Sequence, residues 1–120
     1  MTTHCTKSPE LTYGLDFTQK EIDDAIKDKR LLSLDLETSL ACNLRCIYCY
    51  SSAGEKRSNE LSTKSINDIV DQAVNLGVRV ISVIGGGEPL LYKDILEILS
   101  HIATKPVRRI IMDPIIRTDC

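Results

Sequence analysis

The feature that most constrains the fold is a short, almost purely apolar run, residues 78–84, which is followed directly by consecutive glycines. A run of this length that is rich in β-branched residues is typical of a strand buried on both faces, as in a parallel sheet covered by helices. Alternation with a two-residue period predicts another strand over residues 31–38. Residues 107–112, which follow the helix breaker Pro106, predict a third strand.

One helix-like segment precedes the first strand and two others separate the strands, so we predict helices over residues 16–30, 63–76 and 92–103. Thr18 and Glu21 have the spacing of a capping box. Ser62 is a suitable N-cap for the second helix, and Gly77 is a suitable stop. The apolar positions expected to face the sheet are Ile22, Ala25 and Ile26 in the first helix, Ile66, Ile69, Val70, Ala73 and Val74 in the second, and Ile95, Leu96, Leu99 and Ile102 in the third.

The alternation of strands and helices predicts an α/β fold of parallel β/α units with right-handed crossovers. At ~30 residues per unit of a barrel, residues 31–120 provide about three units, and residues 1–30 form an N-terminal extension with a short helix. The leucines of the first strand should face the helices, while Ser33, Asp35 and Glu37 face a barrel interior. An edge strand with one solvated face is the alternative.

Composition and charge exclude several classes of protein. The chain has 120 residues, 42% hydrophobic and 27% charged, which is typical of a globular domain. Its 15 basic and 17 acidic residues are mixed, so no basic stripe is available to attract nucleic acid or an anionic membrane. The longest apolar stretches are about seven residues, whereas crossing a bilayer takes ~20. The first ten residues lack the apolar segment of a signal peptide, so we expect a cytoplasmic protein.

Three of the five cysteines, Cys42, Cys46 and Cys49, lie within eight residues. Without a secretory signal, this clustering favours metal or redox chemistry over disulfides. Three thiolates can bind three irons of a cubane cluster and leave the fourth iron open, whereas electron-transfer clusters ordinarily take four cysteines. Zinc, completed by a further His or Cys, is the alternative. We expect Cys5 and Cys120 to be free thiols near the chain ends, with a role as a fourth ligand as the alternative.

A second motif, Gly85-Gly86-Gly87-Glu88-Pro89, directly follows the predicted buried strand. Glycine lets a ligand approach the backbone closely because no Cβ intervenes. This segment and the cysteines both follow strands, and parallel β/α folds place their active sites at the carboxyl ends of strands. A tight turn without any ligand is the alternative for the glycines taken alone.

The two motifs together resemble the signatures of the radical S-adenosylmethionine (radical SAM) superfamily, which are C-x3-C-x-aromatic-C and a downstream Gly-Gly-Glu. The resemblance implies that the three cysteines hold a [4Fe–4S] cluster whose open iron binds S-adenosylmethionine. It further implies that Tyr48 packs beside the adenine and that Gly86, Gly87 and Glu88 bind the methionyl amino group. A buried aromatic next to the cluster is the alternative for Tyr48.

The family resemblance also implies a reaction. S-adenosylmethionine is cleaved reductively to a 5′-deoxyadenosyl radical, which takes a hydrogen atom from a substrate, and an electron donor such as a ferredoxin or flavodoxin supplies the electron. The family core has six β/α units, so we expect this chain to be truncated and to form a partial radical-SAM-type barrel. We also expect the chain to self-associate or to bind a partner chain that completes the barrel. The alternative is a non-catalytic iron–sulfur or zinc-binding module completed by such a partner. The sequence does not identify the substrate.

Overall fold

Strands and helices alternate in the structure, a computed structural model that describes residues 17–84 and 86–112. In chain order the elements are α1 (Gln19–Asp28), β1 (Ser33–Leu36), α2 (Thr63–Asn75), β2 (Val80–Val83), a 3-10 turn (Pro89–Leu91), α3 (Ile95–Ala103) and β3 (Arg109–Met112). No helix in these two ranges combines the length and apolar character needed to cross a membrane. Cys5, Gly85 and Cys120 lie outside the described residues.

The three strands form one parallel sheet in the order β1-β2-β3. Leu36 pairs with Val83, and Val83 pairs with Met112, so the carboxyl ends of the strands are level at one edge of the sheet. Two connections leave the sheet at that edge. We call residues 37–61, after β1, the cysteine loop, and residues 86–91, after β2, the glycine loop. The predicted α/β fold with a parallel sheet is confirmed.

Helices α2 and α3 cover one face of the sheet and form its core. Leu36, Ile81 and Val83 face them, so the prediction that the leucine side of the first strand faces the helices is confirmed. Asp35 and Glu37 on the opposite face are exposed, which fits a barrel interior and the alternative of a solvated edge strand equally. All four residues of β2 are buried, as its apolar run predicts. The buried cluster comprises Leu36, Ile66, Val70, Ala73, Val78, Ile81, Val83, Tyr92, Ile95, Ile98 and Ile102.

The predicted helix caps are present in α1 and α2. The Thr18 hydroxyl accepts from the Glu21 N–H while the Glu21 carboxylate accepts from the Thr18 N–H, which is the reciprocal capping box. The Ser62 hydroxyl accepts from the Ser65 N–H at the start of α2. Gly77 follows α2 with a φ of 89°, a backbone conformation that glycine adopts without strain.

Two predicted core positions are wrong. Ile26 is 72% exposed. Helix α1 makes little contact with the rest of the protein, since Ala25 is the only residue of this helix that is buried. Leu96 is 76% exposed, and Ile98 is buried in its place. Helix α3 begins at Ile95, after the 3-10 turn, and buries residues at i, i+3 and i+7, so position 96 lies off that face.

Candidate functional site

The glycine loop is joined to the start of the cysteine loop through backbone hydrogen bonds. The Gly87 N–H donates to the Ser39 carbonyl at 2.8 Å, and the Glu88 N–H donates to the Ala41 carbonyl at 3.0 Å. These bonds prolong the contact between β1 and β2 past the ends of both strands. The two sequence motifs, which are separated along the chain by α2 and β2, therefore meet at the carboxyl edge of the sheet.

The two glycines that the structure describes in this loop differ in what surrounds them. A Cβ atom on Gly87 would lie 2.1 Å from the carbonyl oxygen of Ala41, which is rigid backbone. A Cβ atom on Gly86 would lie 2.9 Å from Cδ2 of Leu40 and 3.3 Å from Oε2 of Glu37, both side-chain atoms that can move. The sequence predicts that the missing Cβ of these glycines lets a ligand approach the backbone closely. At Gly87, the group that approaches is the backbone carbonyl of Ala41.

All three clustered cysteines are free thiols, with Cys42 buried and Cys46 and Cys49 half-buried. The base of the loop is closed by backbone pairing, because the Cys42 N–H donates to the Gly54 carbonyl at 3.0 Å and the Gly54 N–H donates to the Leu40 carbonyl at 2.8 Å. The Cys49 N–H donates to the Cys46 carbonyl at 3.2 Å, which places these two cysteines on a single turn.

Within residues 17–84 and 86–112, no three His, Cys, Asp or Glu side chains are close enough together to hold one metal ion. The ligands of a single ion such as zinc converge on one point. The thiolates of a cubane cluster instead bind different irons, so they need not converge. The donor chemistry fits a cluster, since three free thiols lie on one short loop.

The surroundings of Cys49 favour its thiolate, the form that binds metals. The Ser51 hydroxyl oxygen lies 3.4 Å from the Cys49 sulfur, and the Ala53 N–H donates to the same sulfur at 3.4 Å. Contacts with Ser51, and then the Ala53 N–H, lower the pKa of the Cys49 thiol from its ordinary value.

Ser51 also links the two motifs, a role that the sequence did not reveal. Its hydroxyl donates to the Gly86 carbonyl, 35 positions away. A serine in a polar loop is ordinary, and neither motif includes this position, so no sequence signal singled it out.

Arg45 braces the cysteine loop from within. Its Nη1 donates to the carbonyl oxygens of Cys42 and Leu44, each at 2.8 Å. Gly54 lies against the guanidinium, where a Cβ atom would be 3.4 Å from Cζ. Arg45 thereby helps to fix the chain between the first two cysteines.

Glu60 fastens the two ends of the cysteine loop. Its Oε1 accepts from the backbone N–H groups of Leu40 and Arg57, both at 2.9 Å, while its Oε2 is buried with no partner among the described residues. Burial raises the pKa of this carboxyl, but the N–H groups of Leu40 and Arg57 outweigh that effect and hold the pKa below its ordinary value. The residue was missed because the spacing of a loop closure leaves no pattern in sequence.

The remaining predicted site residues, Tyr48 and Glu88, contrast in exposure. Tyr48, in the cysteine loop, is 87% exposed. Glu88 is buried, and its carboxylate accepts from the Leu90 N–H at 3.2 Å, which caps the 3-10 turn. Glu88 thus has a structural contact in addition to any contact with a ligand.

Comparisons with known proteins agree with this arrangement. Residues 36–118 match the radical SAM superfamily. The chain is 39% identical over 70 residues to the mycofactocin maturase MftC of Mycobacterium ulcerans, covering 58% of this chain and 19% of that protein. It is 36% identical over 83 residues to a probable GTP 3',8-cyclase of Methanococcus maripaludis, covering 68% of this chain and 28% of that protein. It is 37% identical over 71 residues to the Fe-coproporphyrin III synthase of Methanosarcina barkeri, covering 58% of this chain and 18% of that protein.

The chain spans less than a third of the length of these curated relatives. The superfamily match, however, covers well over half of the chain and includes both motifs. The match begins at the last residue of β1 and takes in the cysteine loop, α2, β2, the glycine loop, α3 and β3. The chain therefore belongs to the radical SAM superfamily.

Proposed function

We propose that the cysteine loop holds a [4Fe–4S] cluster and that the adjoining glycine loop binds S-adenosylmethionine. The observation that carries this proposal is the backbone pairing of Gly87 and Glu88 with Ser39 and Ala41, since it joins the two motifs into one site. The residues assigned to the cluster are Cys42, Cys46 and Cys49, and those assigned to S-adenosylmethionine are Tyr48, Gly86, Gly87 and Glu88.

The polarity of the glycine loop supports an ammonium group as the ligand there. The N–H groups of Gly87 and Glu88 already donate within the protein. Carbonyl oxygens have two lone pairs and so can accept a further hydrogen bond. The loop is thus better suited to accept hydrogen bonds than to donate them, which fits the methionyl amino group of S-adenosylmethionine.

When bound, the cluster supplies the electron that cleaves S-adenosylmethionine reductively, in the chemistry of the superfamily. The cysteine loop contributes three thiolates, which leaves one iron of a cubane open for the cofactor. The glycine loop would hold the cofactor, and an electron donor such as a ferredoxin or flavodoxin would provide the electron. Hydrogen abstraction from a substrate would follow. The names of the three relatives denote three different reactions, so we propose no substrate.

We further propose that residues 31–120 form part of a six-unit barrel and that residues 1–30 are an extension to it. β1 and β3 are the outer strands of the described sheet, and each has an edge on which a further strand can pair. A second copy or a partner chain could supply such strands. We place the protein in the cytoplasm, in keeping with its composition.

Anaerobic reconstitution tests the proposed function. We expect about four irons per chain, loss of the cluster in Cys42→Ala, Cys46→Ala or Cys49→Ala, and retention in the matched control Cys5→Ala. Air should bleach the cluster because its open iron is accessible. Stoichiometric zinc without iron–sulfur absorption would instead establish the zinc module. Release of 5′-deoxyadenosine by the reduced, cluster-loaded chain would distinguish an enzyme from a non-catalytic cluster-binding module.

A further inference from the structure

The cysteine loop is fastened to the glycine loop on both sides of its cysteines. Ser39 and Ala41, which accept from Gly87 and Glu88, precede the first cysteine. Ser51 follows the last cysteine and donates to the Gly86 carbonyl. The cysteines are therefore enclosed between two attachments to the same short loop.

The local backbone directs Ser51 toward this contact. Ser52 has a φ of 51°, a left-handed conformation that turns the chain sharply after Ser51. The Ala53 N–H then reaches back to the Cys49 sulfur at 3.4 Å. The turn keeps the Ser51 oxygen beside the Cys49 sulfur, at 3.4 Å, and against the glycine loop.

The carbonyl that Ser51 contacts belongs to a peptide with much freedom. The peptide bond after Gly86 joins two glycines, and glycine populates more of backbone space than any other residue. The N–H of this peptide is fixed by the Ser39 carbonyl. The Ser51 hydroxyl fixes the opposite end, so the plane of the peptide is held from both sides.

We infer that Ser51 is a positioning residue that sets the orientation of the Gly86 carbonyl for S-adenosylmethionine. This inference rests on the proposed function. Ser51 acts on the cofactor through Gly86 rather than by contact with it. A carbonyl held in one orientation presents its second lone pair to the ligand without a cost in ordering the peptide.

The experiment compares Ser51→Ala, which removes the hydroxyl, with Ser51→Thr, which retains it, and with Ser58→Ala, an exposed control in the same loop. Iron per chain and the dissociation constant for S-adenosylmethionine are measured after anaerobic reconstitution. Hydrogen exchange of the Gly87 and Glu88 amides is measured in the cluster-free chain. Circular dichroism checks that each variant is folded.

We expect Ser51→Ala to load iron as the wild type does but to bind S-adenosylmethionine roughly three- to tenfold more weakly, the effect of one hydrogen bond. Its Gly87 and Glu88 amides should exchange faster. Ser51→Thr should restore both properties, and Ser58→Ala should change neither.

Three results would overturn the inference. The first is an unchanged affinity of Ser51→Ala for the cofactor. The second is a parallel loss of iron and cofactor, which would make Ser51 a support of the cysteine loop alone. The third is unchanged exchange of the Gly87 and Glu88 amides in Ser51→Ala. Failure of the proposed function is recognised separately, because the wild type itself would then take up neither iron nor cofactor. The exchange measurement still tests the link between Ser51 and Gly86 in that case.

Discussion

The helix-covered face of the sheet and its carboxyl edge are stabilised by different kinds of interaction. Val70, Ile81 and Ile98 are fully inaccessible to solvent between the sheet and the two helices, where non-directional burial of apolar surface dominates. The carboxyl edge depends on directional hydrogen bonds, such as those that Glu60 and Ser51 make to backbone groups. Ile47, in the cysteine loop, is fully exposed.

This difference separates stability from function. A change in the covered core lowers the free energy of unfolding for the whole domain, because its apolar contacts join all three strands to both helices. A change at the carboxyl edge alters the placement of the cysteines while most of the core remains packed. Three substitution pairs test this separation, and a fourth prediction concerns the attachment of α1.

The largest effect is expected for Ile98→Ala in the covered core. Removal of a fully buried isoleucine side chain leaves a cavity, which costs about 2–5 kcal/mol of unfolding free energy. Leu96→Ala, in the same helix but exposed, is the control and should cost below about 0.5 kcal/mol. Urea unfolding measures both, and similar values for the two variants would contradict the assignment of the core face.

Gly87→Ala should come next and should affect both stability and iron content. The added Cβ meets the Ala41 carbonyl oxygen at 2.1 Å, so backbone must shift, at a cost of about 1–3 kcal/mol. The shift moves the start of the cysteine loop, so iron per chain should fall.

Gly86→Ala is the matched control for this prediction, because its nearest contacts are side-chain atoms of Leu40 and Glu37 that can move. Its loss of stability and of iron should be smaller than that of Gly87→Ala. Unaltered iron content in a folded Gly87→Ala would show that the cysteine loop does not depend on the contact with Ala41.

Glu60→Ala should weaken the closure of the cysteine loop by about 1–2 kcal/mol, because two backbone N–H groups lose their acceptor and water replaces it only in part. Glu60→Gln keeps an oxygen acceptor and should retain most of the stability. Urea unfolding and iron per chain measure the pair. Equal losses in the two variants would indicate that the charge, rather than the accepting oxygen, is what matters.

The smallest effect concerns the attachment of α1 and depends on pH. The Thr18 N–H and then the Arg108 guanidinium lower the pKa of Glu21 from 4.5 to about 2. A lowered folded-state pKa stabilises the protein above the unfolded value, and this contribution is lost as pH falls from 4.5 toward 2. The difference in unfolding midpoint between wild type and Glu21→Gln should therefore shrink over that interval. A difference that stays constant with pH would contradict the lowered pKa of Glu21.

Much of the covered core could be predicted from local pattern. The caps at Thr18 and Ser62 and the stop at Gly77 follow from side chains or backbone freedom acting within a few residues. The errors at Ile26 and Leu96 arose where burial depends on the neighbouring element rather than on helical spacing. A short helix has several apolar residues, and the shape of the neighbouring element decides which of them are buried.

The sequence by itself determined the α/β class, the parallel order of the units and the position of both motifs after strands, because periodicity and turn residues act locally. Only the tertiary structure decided how those motifs meet. Gly87 against Ala41, Ser51 against Gly86 and Glu60 against Leu40 are contacts between residues that are 20 or more positions apart. Close contacts and hydrogen bonds of this kind require a particular distance and direction, which the packing of the chain sets and residue spacing does not encode.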